Sequence, residues 1–452
     1  MQADFQRYIE EQGFFGFGER VLLTVSGGVD SVVMAHLFAA GGYDCAIAHC
    51  NFQLRGAESD ADETFVRTLA DSLEMPVYVK KFDVDKVVKE KGISVQMAAR
   101  ELRYAWFEEL ADQHACDHIA TAHNLNDSVE TCFLNLARGT GIRGLTGIPS
   151  KNGRIIRPVL FAPRREIEKF ARSKQLSFRE DASNREIKYQ RNKIRHDVIP
   201  NLEKINPGFI ETMAANMKRF AEVNSVVKQA TEQVREEVFE EKEDRILVNI
   251  HKLKRLTPFQ TWMHELFFPF GFTRAQCEGI GQILDSDPGR RSISPTHQLY
   301  KDRDRLILVE TRPVTFERYY LDTPERMSSL PFSMDVELIS RNELDAIPRE
   351  LFTACLDYDE IQFPLTIRHW LHGDYFFPLG MDRIKKLSDF FVDEKVPVPE
   401  KERTWILATG RKIVWIMGYR IDNRFRITDR TRRVLMLRLQ SDVGPQVTEK
   451  NL

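Results

Sequence analysis

The sequence predicts an α/β protein: an N-terminal domain built on a mainly parallel sheet, then a mainly helical domain, then a small α+β domain. Three observations predict it. To about residue 200, apolar strand-like runs alternate with helical stretches, the pattern of a parallel sheet with helices on both faces. The first run, Val21–Val25, passes through Ser26-Gly27-Gly28-Val29-Asp30-Ser31 directly into the helix-like Val32–Leu37. From Asn206-Pro207-Gly208 the alternation stops and a long charge-rich helical stretch begins.

Taken in order, strands are expected at 21–25, 45–49, 76–79 and 119–121, with helices at 32–40, 58–73, 95–113 and 126–138. This domain spans 1–208. The stretch 209–242 reads as helix, and its acidic run Glu236-Glu237 and Glu240-Glu241 as a solvated face. A mixed unit follows to about residue 312, and turn-rich sequence from Pro324 to Pro331 marks a boundary. The second domain is therefore set at 209–325 and the third at 326–440, with short strands such as Lys412–Ile416 and a polar tail at 441–452.

Composition narrows the class. The formal net charge of −2 excludes no partner, so any nucleic-acid surface must come from local clustering. The six cysteines form no Cys-x-x-Cys pair, as expected of thiols in a reduced cytosolic compartment. No signal-like apolar core and no long uncharged run is present, so a soluble cytoplasmic protein without a membrane segment is expected.

The chemistry begins at residues 26–31. Gly27 and Gly28 let the backbone approach a ligand closely, and the N–H groups opening the helix point at an anion. Ser26 and Ser31 add hydroxyl donors. Asp30 would repel a phosphate unless a divalent cation lay between them, so the loop predicts pyrophosphate with magnesium on Asp30. No Gly-Lys-Ser/Thr follows, so this is not a Walker A loop. It resembles the pyrophosphate-binding loop of the PP-loop (N-type) ATP pyrophosphatases, whose HUP-like fold binds an adenine nucleotide and whose members adenylate a carbonyl oxygen.

Four more segments surround that loop in the predicted fold. His49–Gly56 ends the second strand and reads either as an ordinary strand–loop with a surface arginine or as a place where backbone groups hold adenine, His49 borders the nucleotide and Arg55 faces phosphate or RNA. Ala122–Thr131 opens a helix whose Asp127 and Glu130 share one face, suited to a cationic amine, to magnesium or to the helix dipole. Arg138–Gly147 is a glycine-rich cationic loop, either a ligand cover or a plain connection. Arg157–Arg195 is rich in arginine and lysine with Phe178 and Tyr189 interleaved, the pattern of an RNA surface; Arg191 and Arg195 could also deliver charge to an adenylation transition state.

In this order SGGVDS, the His49–Gly56 segment, AHNLNDSVET, RGTGIRGLTGI, RPVL and EDASNREIKYQRNKIRHDVIP resemble the tRNA(Ile)-lysidine synthetases, as do Arg368–Asp374, Pro378–Met381, Lys385–Asp389 and Gly418–Asp422. The resemblance implies ATP and magnesium as cofactors. It also implies minor isoleucine tRNA with a CAU anticodon and free lysine as substrates. In that chemistry the 2-oxygen of the wobble cytidine takes AMP from ATP, and the lysine ε-amine then displaces AMP to give lysidine, changing decoding from AUG to AUA. It places pyrophosphate and magnesium at Asp30, lysine at Asp127 and Glu130, and Arg191 and Arg195 towards the anticodon or phosphate. The later domains grip the tRNA, and an extended tRNA surface is compatible with a dimer. The chain departs from the family pattern at Asn124 and Asn126, where a second histidine and an extra acid are frequent, and at Phe52, where histidine is frequent. A PP-loop thiolase, a small-molecule amide ligase and a non-catalytic RNA-binding protein are the rival readings.

Overall fold

Val21–Thr24 forms strand β1, the centre of the N-terminal sheet, because alternate residues serve both of its faces. Val21 and Leu23 join one apolar cluster and Leu22 the other, all three without solvent exposure. The computed structural model describes residues 1–452 except 17, 55, 180–189, 312–317, 325, 328, 349 and 441–452. β1 pairs in parallel with β2 (Cys45–Asn51) on one side and β4 (His118–Ala120) on the other. β3 (Val77–Lys81) extends the sheet beyond β2 and β6 (Ile155–Ile156) beyond β4, both parallel, while β5 (Lys151–Asn152) closes that edge antiparallel. The order β3-β2-β1-β4-β6-β5 reverses direction at β1. The carboxyl end of β1 is thus the switch point where ligands of open α/β sheets bind.

Helices α1 (Gln2–Gln12), α2 (Val29–Gly41), α3 (Ala57–Ser72) and, later in the chain, Arg164–Ser173 bury one face with Phe5, Phe38, Val66 and Ile167. α4 (Val84–Lys91) and α5 (Val95–Gln113) cover the other with Val84, Trp106, Phe107 and Leu110. Each fully buried Leu or Phe here contributes about 1.5–3 kcal/mol. α6 (Leu125–Arg138) follows β4, and a one-turn α7 (Ile142–Leu145) and α8 (Arg164–Ser173) come after it. The expected helices at 32–40, 58–73, 95–113 and 126–138 are all present; α1, α4, α7, α8, β5 and β6 lie outside those expectations.

The chain divides into two units, Met1–Gln229 and Ala230–Leu452. A helix at Gln190–Lys193 (α9), a π-turn at Ile194–Val198 and α10 (Ile199–Ile205) lead to the long α11 (Phe209–Val238). The expectation of a mainly helical second domain is corrected here. After α11 comes a five-stranded antiparallel sheet, β7 (Phe239–Glu241), β8 (Ile246–Asn249), β9 (Arg291–Ile293), β10 (His297–Asp302) and β11 (Arg305–Glu310), in the order β7-β8-β11-β10-β9. Its β11 is buried on both faces, Leu306 and Leu308 in one cluster and Ile307 and Val309 in another, so it reads as a continuous apolar run. The charged α11 dominates the composition of this segment and hides the short strands behind it.

The rest of the second unit is β-rich. A six-stranded and a three-stranded antiparallel sheet share a core containing Leu365, Leu407, Trp415 and Leu435, with two short helices at Leu387–Asp393 and Val398–Arg403. Arg245 pairs with Glu400, and Arg403 with Asp244 at 3.0 Å, which ties the five-stranded sheet to this part. Among the described residues no helix is long and apolar enough to cross a membrane.

Candidate functional site: a nucleotide pocket joined to a carboxylate–guanidinium cluster

The phosphate loop is braced from within. Ser31 Oγ donates to the Gly28 carbonyl at 2.9 Å and accepts from the Ser26 N–H at 3.2 Å, so the loop closes on its own hydroxyl. Gly27 has φ +93°, a conformation that L side chains rarely adopt. Val29, 3% exposed, anchors the start of α2 in the core. A helix begins there with N–H groups that have no intrahelical partner, aimed where an anion would lie.

Above the loop lies a cavity of about 360 Å³ at the carboxyl ends of β1, β2 and β4, within the usual range for small-molecule sites. Ser26, Gly28, Asp30 and Ser31 line it from the loop, His49 and Asn51 from β2, Phe52 from just after β2, and Thr121 and His123 from just after β4. His49 is buried and its Nδ1 lies 2.8 Å from the Val25 carbonyl; burial pushes its pKa down, so it is a neutral wall. His123, paired through Nδ1 with Thr121 Oγ1 at 3.0 Å, is pushed down by burial to about 4. Arg55 lies outside the described residues.

Asp30 accepts hydrogen bonds from Asn124 Nδ2 (2.9 Å) and Arg164 (3.0 Å). Burial raises its pKa, and Arg164 and then Asn124 oppose the rise. The two asparagines that depart from the family pattern both act on this carboxylate. Asn126 Oδ1 accepts the Arg164 backbone N–H at 2.9 Å and so sets the start of α8, from which the Arg164 side chain reaches Asp30. Asn124 caps α6: its Oδ1 accepts the Asp127 N–H (3.1 Å), and its own N–H donates to Asp127 Oδ2 (3.0 Å), a reciprocal capping box.

Asp127 carries the connection onward. Its Oδ1 accepts from Arg191 (3.1 Å) and Arg195 (3.3 Å). Glu130, one turn along and with a side chain only 2% exposed, accepts from Arg191 Nε (2.8 Å) and from Arg195 Nε and NH2 (2.5 and 2.9 Å). The expected shared face of Asp127 and Glu130 is present, and both carboxylates meet the same two guanidiniums. Burial works against the Arg195 charge, but Glu130, then Asp127 and Asp30, outweigh it and hold its pKa above the ordinary value.

Other expectations are redirected. Arg157 is buried against the Pro149 carbonyl, Arg164 faces Asp30, and Arg165 pairs with Glu211 at 2.5 Å, so much of the basic stretch is neutralised within its own unit. Residues 180–189 of that stretch, with Tyr189, lie outside the described residues. The glycine-rich loop is docked on α6: the Ile148 N–H donates to Ser128 Oγ at 2.9 Å, beside Gly147 at φ +76°. Cys45 and Cys50 are held protonated, burial pushing both thiols up to about 12, which leaves no thiolate for a sulfur relay. Among the described residues no group of three or more His, Cys, Asp or Glu side chains is arranged to hold a metal. Magnesium characteristically takes one or two carboxylates and completes its shell with phosphate oxygens and water, and Asp30 beside the phosphate loop fits that demand.

Models of known families match three segments of the chain: a PP-loop domain residues 1–202, a TilS substrate binding domain 241–311 and a TilS substrate C-terminal domain 365–439. Residues 1–202 of the first unit are therefore a PP-loop ATP-binding domain. The tRNA(Ile)-lysidine synthase of Parabacteroides distasonis is 40% identical over 430 residues, covering 95% of this chain and 98% of its own. That of Bacteroides thetaiotaomicron is 37% identical, covering 96% and 98%, and that of Caldanaerobacter subterraneus 30%, covering 95% and 96%. The chain belongs to the tRNA(Ile)-lysidine synthase family.

Proposed function

We propose that this chain is an ATP-dependent ligase that joins lysine to the 2-carbon of the wobble cytidine in minor isoleucine tRNA with a CAU anticodon, and that its two half-reactions occupy two adjoining places in the first unit. The observation that carries the division is the hydrogen-bonded series from Asp30 through Asn124 to Asp127, Arg191, Arg195 and Glu130. One end borders the nucleotide cavity, and the other is a cluster of two carboxylates and two guanidiniums.

In the first half-reaction the cytidine 2-oxygen attacks the α-phosphate of ATP and pyrophosphate leaves. Ser26 and the opening N–H groups of α2 hold the phosphates, a preorganised set of donors that needs no rearrangement as charge develops, while Ser31, whose hydroxyl proton goes to the Gly28 carbonyl, keeps the loop in shape. Asp30 is the residue that would hold magnesium, which supplies charge neutralisation between the carboxylate and the phosphates. In the second half-reaction the lysine ε-amine attacks the cytidine 2-carbon and AMP departs. Free lysine carries an ammonium and a carboxylate at its other end. Asp127 and Glu130 match the first and Arg191 and Arg195 the second, so the cluster can hold the zwitterionic end and leave the ε-amine free to react. The second unit, which carries the substrate binding domain and C-terminal domain matches, grips the tRNA.

The test is incubation of the purified protein with ATP, labelled lysine and isoleucine tRNA bearing CAU, with methionine tRNA as control. Lysine is expected in the wobble position of the isoleucine tRNA alone, with one AMP and one pyrophosphate per lysidine. Folded protein and competent tRNA that give no incorporation would overturn the assignment.

A further inference from the structure

Arg179 belongs to the basic stretch that reads as RNA-facing, yet the structure puts it in the nucleotide cavity. After α8 the chain is anchored twice: Leu176 packs against the main core, and the Arg179 N–H donates to the Gly27 carbonyl of the phosphate loop at 3.0 Å. The backbone of Arg179 is therefore fixed to the loop itself. Its guanidinium is hydrogen-bonded to Asp62 of α3, and both side chains line the cavity. The pair is only partly buried, at 37% and 25% exposure for the two side chains, so it is accessible to an incoming ligand.

The charges of that lining are balanced. Asp30 and Asp62 face Arg103 and Arg179, and Arg103 is further engaged over the Phe52 ring at 5.2 Å. Beyond the donors of the phosphate loop, a polyanion entering a cavity of balanced side-chain charge gains a guanidinium partner when a cation leaves its internal carboxylate. Arg179 suits that exchange. An exposed ion pair with a carboxylate is weak, whereas a guanidinium matches phosphate with two parallel hydrogen bonds. We propose that Arg179 is a nucleotide-binding residue held in reserve by Asp62, which releases it to the polyphosphate when ATP enters. The inference rests on the reading of this cavity as the ATP site and adds a specific cation and its competitor to it.

The experiment is calorimetric titration with a non-hydrolysable ATP analogue and magnesium, on the full chain, in four forms: wild type, Arg179→Ala, Asp62→Asn and the double variant, each checked for an unchanged thermal midpoint. Arg179→Ala should weaken binding by about tenfold or more, the scale of a lost charge-assisted hydrogen bond. Asp62→Asn should tighten it by about two- to fivefold, as removal of an exposed ion-pair competitor allows. The tightening should vanish in the Arg179→Ala background, because Asp62 acts through Arg179. Affinity for tRNA without nucleotide should be the same in wild type and Arg179→Ala. Nucleotide affinity of Arg179→Ala within about twofold of wild type would overturn the inference, as would equal tightening by Asp62→Asn in both backgrounds. A wild-type protein that does not bind the analogue would instead overturn the assignment of the cavity.

Discussion

Glu130→Gln perturbs the cluster where it is most enclosed. The carboxylate accepts three guanidinium N–H groups, at 2.8, 2.5 and 2.9 Å, with its side chain 2% exposed. Glutamine keeps one oxygen as acceptor and turns an amide donor towards donors. Each lost charge-assisted bond is worth about 1.5–3 kcal/mol, and water partly compensates because the two arginines are not fully buried. A net destabilisation of about 2–3 kcal/mol follows, which lowers the melting temperature of a unit this size by about 4–12 °C. Differential scanning fluorimetry reads that shift. Below the transition, adenylation of tRNA followed by release of pyrophosphate should be largely retained, while lysine incorporation falls and KM for lysine rises. An unchanged melting temperature would refute the pairing of Glu130 with both arginines. Equal loss of adenylation and lysine transfer would refute the separation of the two places.

Three further outcomes follow from the same geometry. Because burial raises the Asp30 pKa, the folded state holds that proton more tightly than the unfolded chain, so stability is lost as pH rises through the Asp30 titration; Asp30→Asn should melt at or above the wild-type temperature at pH 7 while losing pyrophosphate release, and a lower melting temperature would contradict the sign. Asn124→Ser keeps a capping oxygen but removes the Nδ2 donor that holds the Asp30 pKa down, so the acid limb of the adenylation rate should move to higher pH; an unmoved limb would show that Asn124 does not act on Asp30. Gly147→Ala places a Cβ 2.3 Å from Ser128 Oγ and 2.7 Å from Met217 Sδ at φ +76°, and should cost about 1–3 kcal/mol in urea unfolding, with wild-type stability counting against the docked loop.

The sheet was legible because β1, β2 and their helices are long enough to show periodicity, and a strand running into a phosphate loop has few alternatives. Ile155–Ile156 was not, since two residues carry no period and their pairing with β4 comes from a segment more than thirty positions away. The middle sheet was obscured by the thirty-residue charged helix before it. At the site, Asp30, Asp127 and Glu130 could be picked out because carboxylates at a loop and in a first helical turn are visible in spacing. The partners of those carboxylates were not. Arg191 and Arg195 meet Glu130 across more than sixty residues, and Arg164 meets Asp30 across 134, so their role depends on a fold that brings α6, α8 and α9 together. Asn124 did carry a local signal, an Asn-x-x-Asp capping box, but only the structure shows that its amide turns back to Asp30.

The most direct test of two half-reactions in adjoining places uses ATP labelled in the α-phosphate. Without lysine, wild-type protein should transfer the label to isoleucine tRNA bearing CAU, and addition of lysine should release it as AMP while lysidine forms. Asp30→Ala should fail to label the tRNA, and Glu130→Gln should label it and release AMP slowly on lysine addition. Lysidine formed with no labelled tRNA under any of these conditions, or label that lysine cannot discharge, would contradict the account.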